Sequence, residues 1–240
     1  MTISKDNTVA SVVTKNIKTA HIFKKHGIDF CCGGGISLEK ACDKNNVNMD
    51  TLIEELTAID KITDQNLDFD NWELDVLIDH IVNTHHSYVS ESVQILSQYA
   101  NKVAKVHGHH YDFLIEVNTL FHDVANELVS HMQKEEQILF PYIKKIVNAK
   151  RHQEANTPPP FGTVSNPITM MEHEHESAGE VLRKIATLTD NYTTPPGACN
   201  TFKALYSKLE EFEQDLHQHI HLENNILHPK AISLEKSLQN

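Results

Sequence analysis

The sequence predicts an all-α protein: an up-down-up-down four-helix bundle preceded by a small helical N-terminal domain. Three observations lead there. Apolar residues recur at helical three- and four-residue steps through most of the 240-residue chain. Strand-like alternation is nearly absent. One pattern is written twice, as His131-Met-Gln-Lys-Glu135-Glu-Gln-Ile-Leu-Phe-Pro141 and as His219-Ile-His-Leu-Glu223-Asn-Asn-Ile-Leu-His-Pro229.

The N-terminal domain is expected over residues 1–62. Val9, Val12, Val13, Ile17, Ala20 and Phe23 predict a helix over 9–26, stopped by Gly27. Cys31-Cys32-Gly33-Gly34-Gly35 follows, a turn with free backbone geometry. Ser37 can cap a short helix carrying Leu38, Ala41 and Cys42. Asn48 or Asp50 can cap the next, through Leu52, Ile53, Leu56 and Ile59. Residues 61–72 lose periodicity and read as an Asp- and Asn-rich linker.

The bundle is expected over 73–240, with helices near 73–105, 112–149, 167–191 and 199–237. Pro141 and Pro229 fall inside the second and fourth and predict kinks there. The loops at 151–166 and 192–197 are marked by Pro158-Pro159-Pro160 and Pro195-Pro196.

Composition narrows the function classes. Acidic residues outnumber basic ones by 33 to 21, which argues against nucleic acid and against an anionic membrane surface. No apolar run is long enough to span a membrane, and Met1–Ala10 is too polar for a signal core. A cytoplasmic location is expected, with the four cysteines reduced. The 17 histidines, many beside acidic residues, favour a transition metal such as iron, manganese or zinc.

Each copy of the repeat puts His and Glu four residues apart, on one face of a helix. Ile138 and Leu139 continue the first stripe, and Ile226 and Leu227 the second, so the polar pair should face the core. A buried imidazole and carboxylate are costly without partners. A metal satisfies both, and two copies suggest two metals. The other helices should contribute as well. His85 and His86 are both available on the first, and periodicity does not choose between them. On the third, Ile168, Met171, Ala178 and Leu182 place His175 inward and leave His173 to solvent.

The inventory is one His from each helix and two Glu. Bridging carboxylates, two imidazoles per metal and an oxo or hydroxo bridge leave about one open position on an octahedral ion. Oxygen, NO, peroxide or a donor ligand could enter there. Glu172-x-x-His175 has the spacing used in di-iron carboxylate sites, but only once. Glu127 and Glu174 can support the ligands from behind or wall an access channel. His217, His221 and His228 are expected to be mostly exposed. His107, His109 and His110 mark a loop that could take adventitious zinc or nickel. Cys31 and Cys32 are read as functional thiols on an exposed loop whose backbone N–H groups can stabilise a thiolate. Cys42 and Cys199 are read as core residues.

The run Asp29-Phe-Cys31-Cys32-Gly33-Gly34-Gly35, the two repeats, and Glu172-His-Glu-His175-Glu-Ser-Ala-Gly179 together resemble the iron–sulfur cluster repair di-iron proteins of the ScdA/YtfE type. The resemblance covers almost the whole chain; the bundle alone resembles hemerythrin. It implies a non-haem di-iron centre held by His86, His131, Glu135, His175, His219 and Glu223, and so selects His86 over His85. It implies restoration of iron–sulfur clusters damaged by oxidative or nitrosative stress, with the damaged proteins as acceptors of iron. The rival activity it implies is reduction of NO to nitrous oxide. A hemerythrin-like oxygen or NO sensor is a third reading. The paired cysteines are implied to serve function or formation of a homodimer. The extra His85, His221 and His228 and a somewhat longer loop after the second helix depart from the pattern.

Overall fold

A computed structural model describes residues 3–60 and 68–239. The chain is all-α. Among the described residues there is no β-strand, only an isolated antiparallel bridge between Thr8 and Ser37. Two compact units form. One takes in Met1–Ile78, Ile143–Thr157 and His217–Asn240; the other takes in Asp79–Tyr142 and Pro158–Leu216.

In the first unit the N-terminal segment folds as α1 (Val9–Lys15), α2 (Ala20–Lys25), α3 (Leu38–Asn45) and α4 (Met49–Asp60). Thr8, Ser37 and Asn48 cap α1, α3 and α4 by accepting from the N–H groups of Ser11, Lys40 and Thr51. The continuous helix expected over 9–26 is interrupted. Asn16 is extended, at φ −151°, and its side chain accepts from Lys18 N–H to open a 3-10 turn at Ile17–Thr19. A side-chain acceptor has displaced the helical ladder, the usual liability of Asn in a helix interior.

Gly27 stops α2 as expected. At φ +67° it lets Gly27 N–H reach Lys24 O and Ile28 N–H reach Phe23 O, the paired bonds of a Schellman cap. Val9, Val13, Phe23, Leu38, Leu52 and Leu56 form the small core. The expected linker lies partly at 61–67, outside the described residues. Its described end is not solvated chain: Phe69–Asn71 makes a 3-10 turn against α1, and buried Phe69 meets Trp72 at 4.8 Å between ring centroids. Aspartates on both sides of this aromatic pair mask it in the sequence.

The three glycines after the cysteines turn the chain without using left-handed backbone; none is among the positive-φ residues. Gly34 is required for a different reason. A Cβ there would lie 2.4 Å from Phe30 O and 3.0 Å from Ala10 Cβ. That close approach lets Gly34 O accept from Ala10 N–H at 2.8 Å, tying the cysteine loop to α1.

The second unit is the body of the four-helix bundle. The first long helix is α5 (Leu74–His80), a π-helical stretch Ile81–His86 and α6 (Ser87–His107). The second is α7 (Phe113–Lys134), a π stretch Glu135–Leu139 and α8 (Phe140–His152). The third is α9 (Ser165–Leu188). The fourth is α10 (Asn200–Leu222), a π stretch Glu223–Leu227 and α11 (His228–Ser237). Within the unit α7 packs on α6 and α9. Helix α10 joins through Phe212, edge-on to Phe121 at 5.8 Å, and through Lys208, which donates to Tyr88 Oη and lies 4.3 Å over its ring. No described helix is long and apolar enough to cross a membrane.

The π stretches replace the simple kinks expected at Pro141 and Pro229. A proline cannot donate its missing N–H, and its ring crowds the carbonyl four residues back. Widening the preceding turn relieves that carbonyl. Phe140 N–H then bonds to Glu135 O, and His228 N–H to Glu223 O, each spanning five residues. The wider turn also rotates the side chains next to it. Ile138, expected on the buried stripe, is 48% exposed, whereas Leu139 is buried. In the second copy Ile226 and Leu227 are both buried, and α1 packs on that stretch.

Replacing Gly34 by Ala should lower stability by about 1–3 kcal/mol, since backbone blocks the added methyl. Gly35→Ala, whose Cβ meets nothing within 4 Å, should change it little. Denaturant titration of the two variants checks the contrast.

Candidate metal centre

In the second unit, the π stretch that ends at His86 and the one that begins at Glu135 bring these two side chains together. His86 Nε2 lies 3.4 Å from Glu135 Oε2, and His131 Nε2, one turn earlier on α7, lies 3.3 Å from the same oxygen. His175 on α9 completes the group, its Nε2 at 2.9 Å from His131 Nε2. All four are buried, Glu135 completely. Ligand atoms of His131, Glu135 and His175 lie within 4.8 Å of one another, as do those of His86 and Glu135. Imidazole nitrogens and a carboxylate oxygen converging in a dry site are a donor set for a transition metal.

The far nitrogens of two of these rings are held by carboxylates. His86 Nδ1 pairs with Glu136 at 2.7 Å, and His131 Nδ1 with Glu174 at 2.9 Å. A proton on Nδ1, donated to the carboxylate, leaves Nε2 with its lone pair turned inward, as a ligand needs. Glu174 is in turn gripped by Lys134. Burial alone would raise the Glu174 carboxyl, but hydrogen bonds from Lys134 and His131 outweigh it and hold the group below its ordinary range. Glu127 is exposed, yet it lines a cavity of about 470 Å³ together with His131, Lys134, His173 and Glu174.

His85, the alternative left open by periodicity, is also buried but turns elsewhere. Its Nδ1 meets Asp215 at 2.9 Å. The π stretch is what lets two adjacent imidazoles both be buried while facing different helices. Sequence reasoning missed Glu136 and Lys134. An acid adjoining the motif Glu was the available signal for the first, because ligand imidazoles commonly carry a carboxylate on the second nitrogen.

In the first unit, His219 Nε2 lies 3.0 Å from Glu223 Oε1, both buried. The same turn carries His217, His221, Asn224 and Asn225, and here one expectation fails. His221 and His228 are fully buried rather than exposed, and His217 is half-buried. The N-terminal segment covers His221: Thr14 Oγ1 lies 3.3 Å from its Nε2, and the Phe30 ring is 6.0 Å away. Burial pushes its pKa down to about 4.

Cys31 is buried and Cys32 exposed, and all four cysteines are free thiols. The backbone N–H groups expected to stabilise a thiolate are already committed. Both Cys31 N–H and Cys32 N–H donate to Asp29 Oδ1, which also lies 3.3 Å from Cys31 Sγ. Hydrogen bonding with Cys32 and burial push the Cys31 thiol well above its ordinary range, and the Asp29 charge adds to this. Cys42 is buried as expected, but Cys199 is exposed at the start of α10, with His107 Nε2 at 3.2 Å from its sulfur. The apolar neighbours that suggested a core place for Cys199 belong to the helix after it, not to its own turn. Among the described residues, His107, His109 and His110 join no group of candidate ligands.

A hemerythrin HHE cation-binding domain matches residues 77–231, and ScdA_N, a domain of unknown function, matches residues 5–60. The chain is 32% identical to an iron–sulfur cluster repair protein ScdA from Staphylococcus haemolyticus, over 95% of this chain and 99% of that one. It is 37% identical to the repair protein YtfE of Yersinia pseudotuberculosis, over 88% of this chain and 90% of the relative. The Yersinia pestis YtfE is also 37% identical, over 90% and 91%.

The chain belongs to the ScdA/YtfE family.

Its cation-binding domain takes in every buried His and Glu described above. The ScdA_N segment takes in Asp29, Cys31, Cys32 and Gly34. If Asp29 restrains the buried thiol by its charge, Asp29→Asn should speed alkylation of Cys31 at pH 8 by roughly threefold. Asn keeps the acceptor for the two N–H groups, so site-resolved mass spectrometry with iodoacetamide reads the charge alone.

Proposed function

We propose that this chain is a di-iron protein that restores iron–sulfur clusters damaged by oxidative or nitrosative stress, supplying iron from a non-haem dinuclear centre. The observation that carries this reading is the sharing of carboxylates. Candidate ligands fall into two sets, His86, Glu135, His219 and Glu223, and His131, Glu135, His175 and Glu223, and both glutamates belong to both sets. A carboxylate common to two sets suits a bridge between two ions, with two imidazoles left for each. When bound, such a pair supplies exchangeable iron to an acceptor, or electrons to a small ligand.

The family supports repair as the purpose, since the relatives bear that name over nearly the full chain. The ligand set supports release. Four neutral imidazoles and two carboxylates hold iron with fewer anionic donors than a carboxylate cage does. In this reading the acceptors are damaged iron–sulfur proteins, the compartment is the cytoplasm, and the working unit is a homodimer. Residues 1–62 serve as the thiol-bearing domain and 73–240 as the iron-bearing one.

One observation favours a second reading, reduction of NO to nitrous oxide. The cavity lined by Glu127, Glu174 and His131 gives a small molecule a path to a ligand side chain. The two readings part in experiment. Iron-loaded protein mixed under reducing conditions with an apo cluster acceptor should lose iron as the acceptor regains its cluster; full retention of iron beside a competent acceptor counts against donation. Several equivalents of nitrous oxide from anaerobic NO and the diferrous protein would support the enzyme instead. The Glu135→Ala, Glu223→Ala double variant should lose the dinuclear signature in Mössbauer spectra, and two irons retained there would refute the ligand assignment.

A further inference from the structure

The turn that carries His219 and Glu223 has a second face, and it grips the cysteine loop. Asn225 Nδ2 lies 3.0 Å from Cys31 O and 3.5 Å from Phe30 O. His221, one helical turn earlier, has Nδ1 3.4 Å from Phe30 O and 3.1 Å from Asn225 Nδ2. The Phe30 ring stands edge-on to His217 at 5.8 Å, and Asn224 Nδ2 reaches Cys32 Sγ at 3.9 Å. Four side chains of one turn therefore touch three consecutive residues of the loop.

Counting hydrogens shows which contact matters. The Asn225 carboxamide has two to donate. One goes to Cys31 O, the shortest contact. The other has His221 Nδ1 and Phe30 O as acceptors. If His221 accepts at Nδ1, its Nε2 carries the proton and donates to Thr14 Oγ1, 3.3 Å away on α1. The chain Thr14–His221–Asn225–Cys31 is then complete, with Asn225 the member that binds the loop backbone. Asp29 holds the same loop from its other side by accepting from Cys31 N–H and Cys32 N–H. Between the two, the Cys31 peptide is fixed at both its N–H and its carbonyl. A fixed peptide dictates where the two adjacent side chains point: Cys31 inward and buried, Cys32 outward and exposed.

We propose that Asn225 is the positioning residue that makes the two adjacent thiols inequivalent, withholding Cys31 and presenting Cys32 as the thiol that meets soft electrophiles. Asn225 touches neither sulfur; it acts through the Cys31 carbonyl. The inference stands whether or not the dinuclear reading of the ligand set is correct, because it concerns the outer face of the turn.

The test is site-resolved alkylation of the full-length protein with iodoacetamide. Each sulfur displaces iodide, forms one S–C bond and gives its proton to solvent. In the native sequence Cys32 and Cys199, both exposed, should react early, and Cys31 and Cys42, both buried, late. Asn225→Ala should raise the Cys31 rate about tenfold, equivalent to about 1.4 kcal/mol of restraint, while Cys42 stays protected. Asn225→Asp, which keeps the size but lacks the donor hydrogens, should do the same and serves if the Ala variant folds poorly. Cys42 lies in the same N-terminal segment and reports general loosening. A Cys31 rate within twofold of native in both variants, or Cys42 rising in parallel with Cys31, would overturn the assignment.

Discussion

A carboxylate with no exposed surface has to be compensated where it lies, and Glu135 and Glu223 both have none. The rest of the molecule is arranged around that requirement. Imidazoles gather on the inner side of these groups, while Glu136, Glu174 and Lys134 stand on the outer side and fix the rings. Hydrophobic helices supply the dry surroundings in which few ligands suffice. The cost of burying these groups, which would make the site a weakness in a simple helical protein, becomes affinity for a cation.

The helices bend to meet this requirement, and they do so in the same way three times. Each π stretch either ends or begins at a proposed ligand: His86, Glu135 and Glu223. Two of the three are backed by proline, which supplies the mechanical reason. The one at Ile81–His86 has no proline; there the helix gives up α geometry and buries two adjacent histidines. His85 is taken by Asp215, so its burial is offset by an ion pair rather than by the site.

Much of this was legible in the sequence. The four long helices, the caps at Ser37 and Asn48, the stop at Gly27 and the inward His175 all follow from local rules of spacing and capping. What was not legible depends on residues distant in the chain. Periodicity could not choose between His85 and His86 because a π stretch breaks the period itself. It misjudged Ile138 for the same reason. His221 looked like a surface histidine because nothing on its own helix announces that Thr14 and Phe30 will cover it. The Cys31–Cys32 loop looked able to stabilise a thiolate because the demand of Asp29 on those N–H groups appears only once the turn closes.

The π stretch at Glu135–Leu139 has one more consequence. It amounts to one residue beyond what α geometry needs, and each residue of a helix turns the chain by about 100°. Removing a single residue there would let the helix relax to an ordinary ladder while rotating everything after it by that angle. Tyr142, Ile143, Ile146 and Val147, all buried, would be swung off the face they now occupy. A stretch of five residues thus ties the phase of α8 to the placement of Glu135. In this chain, the length of that helix can change at its end, but not between the two.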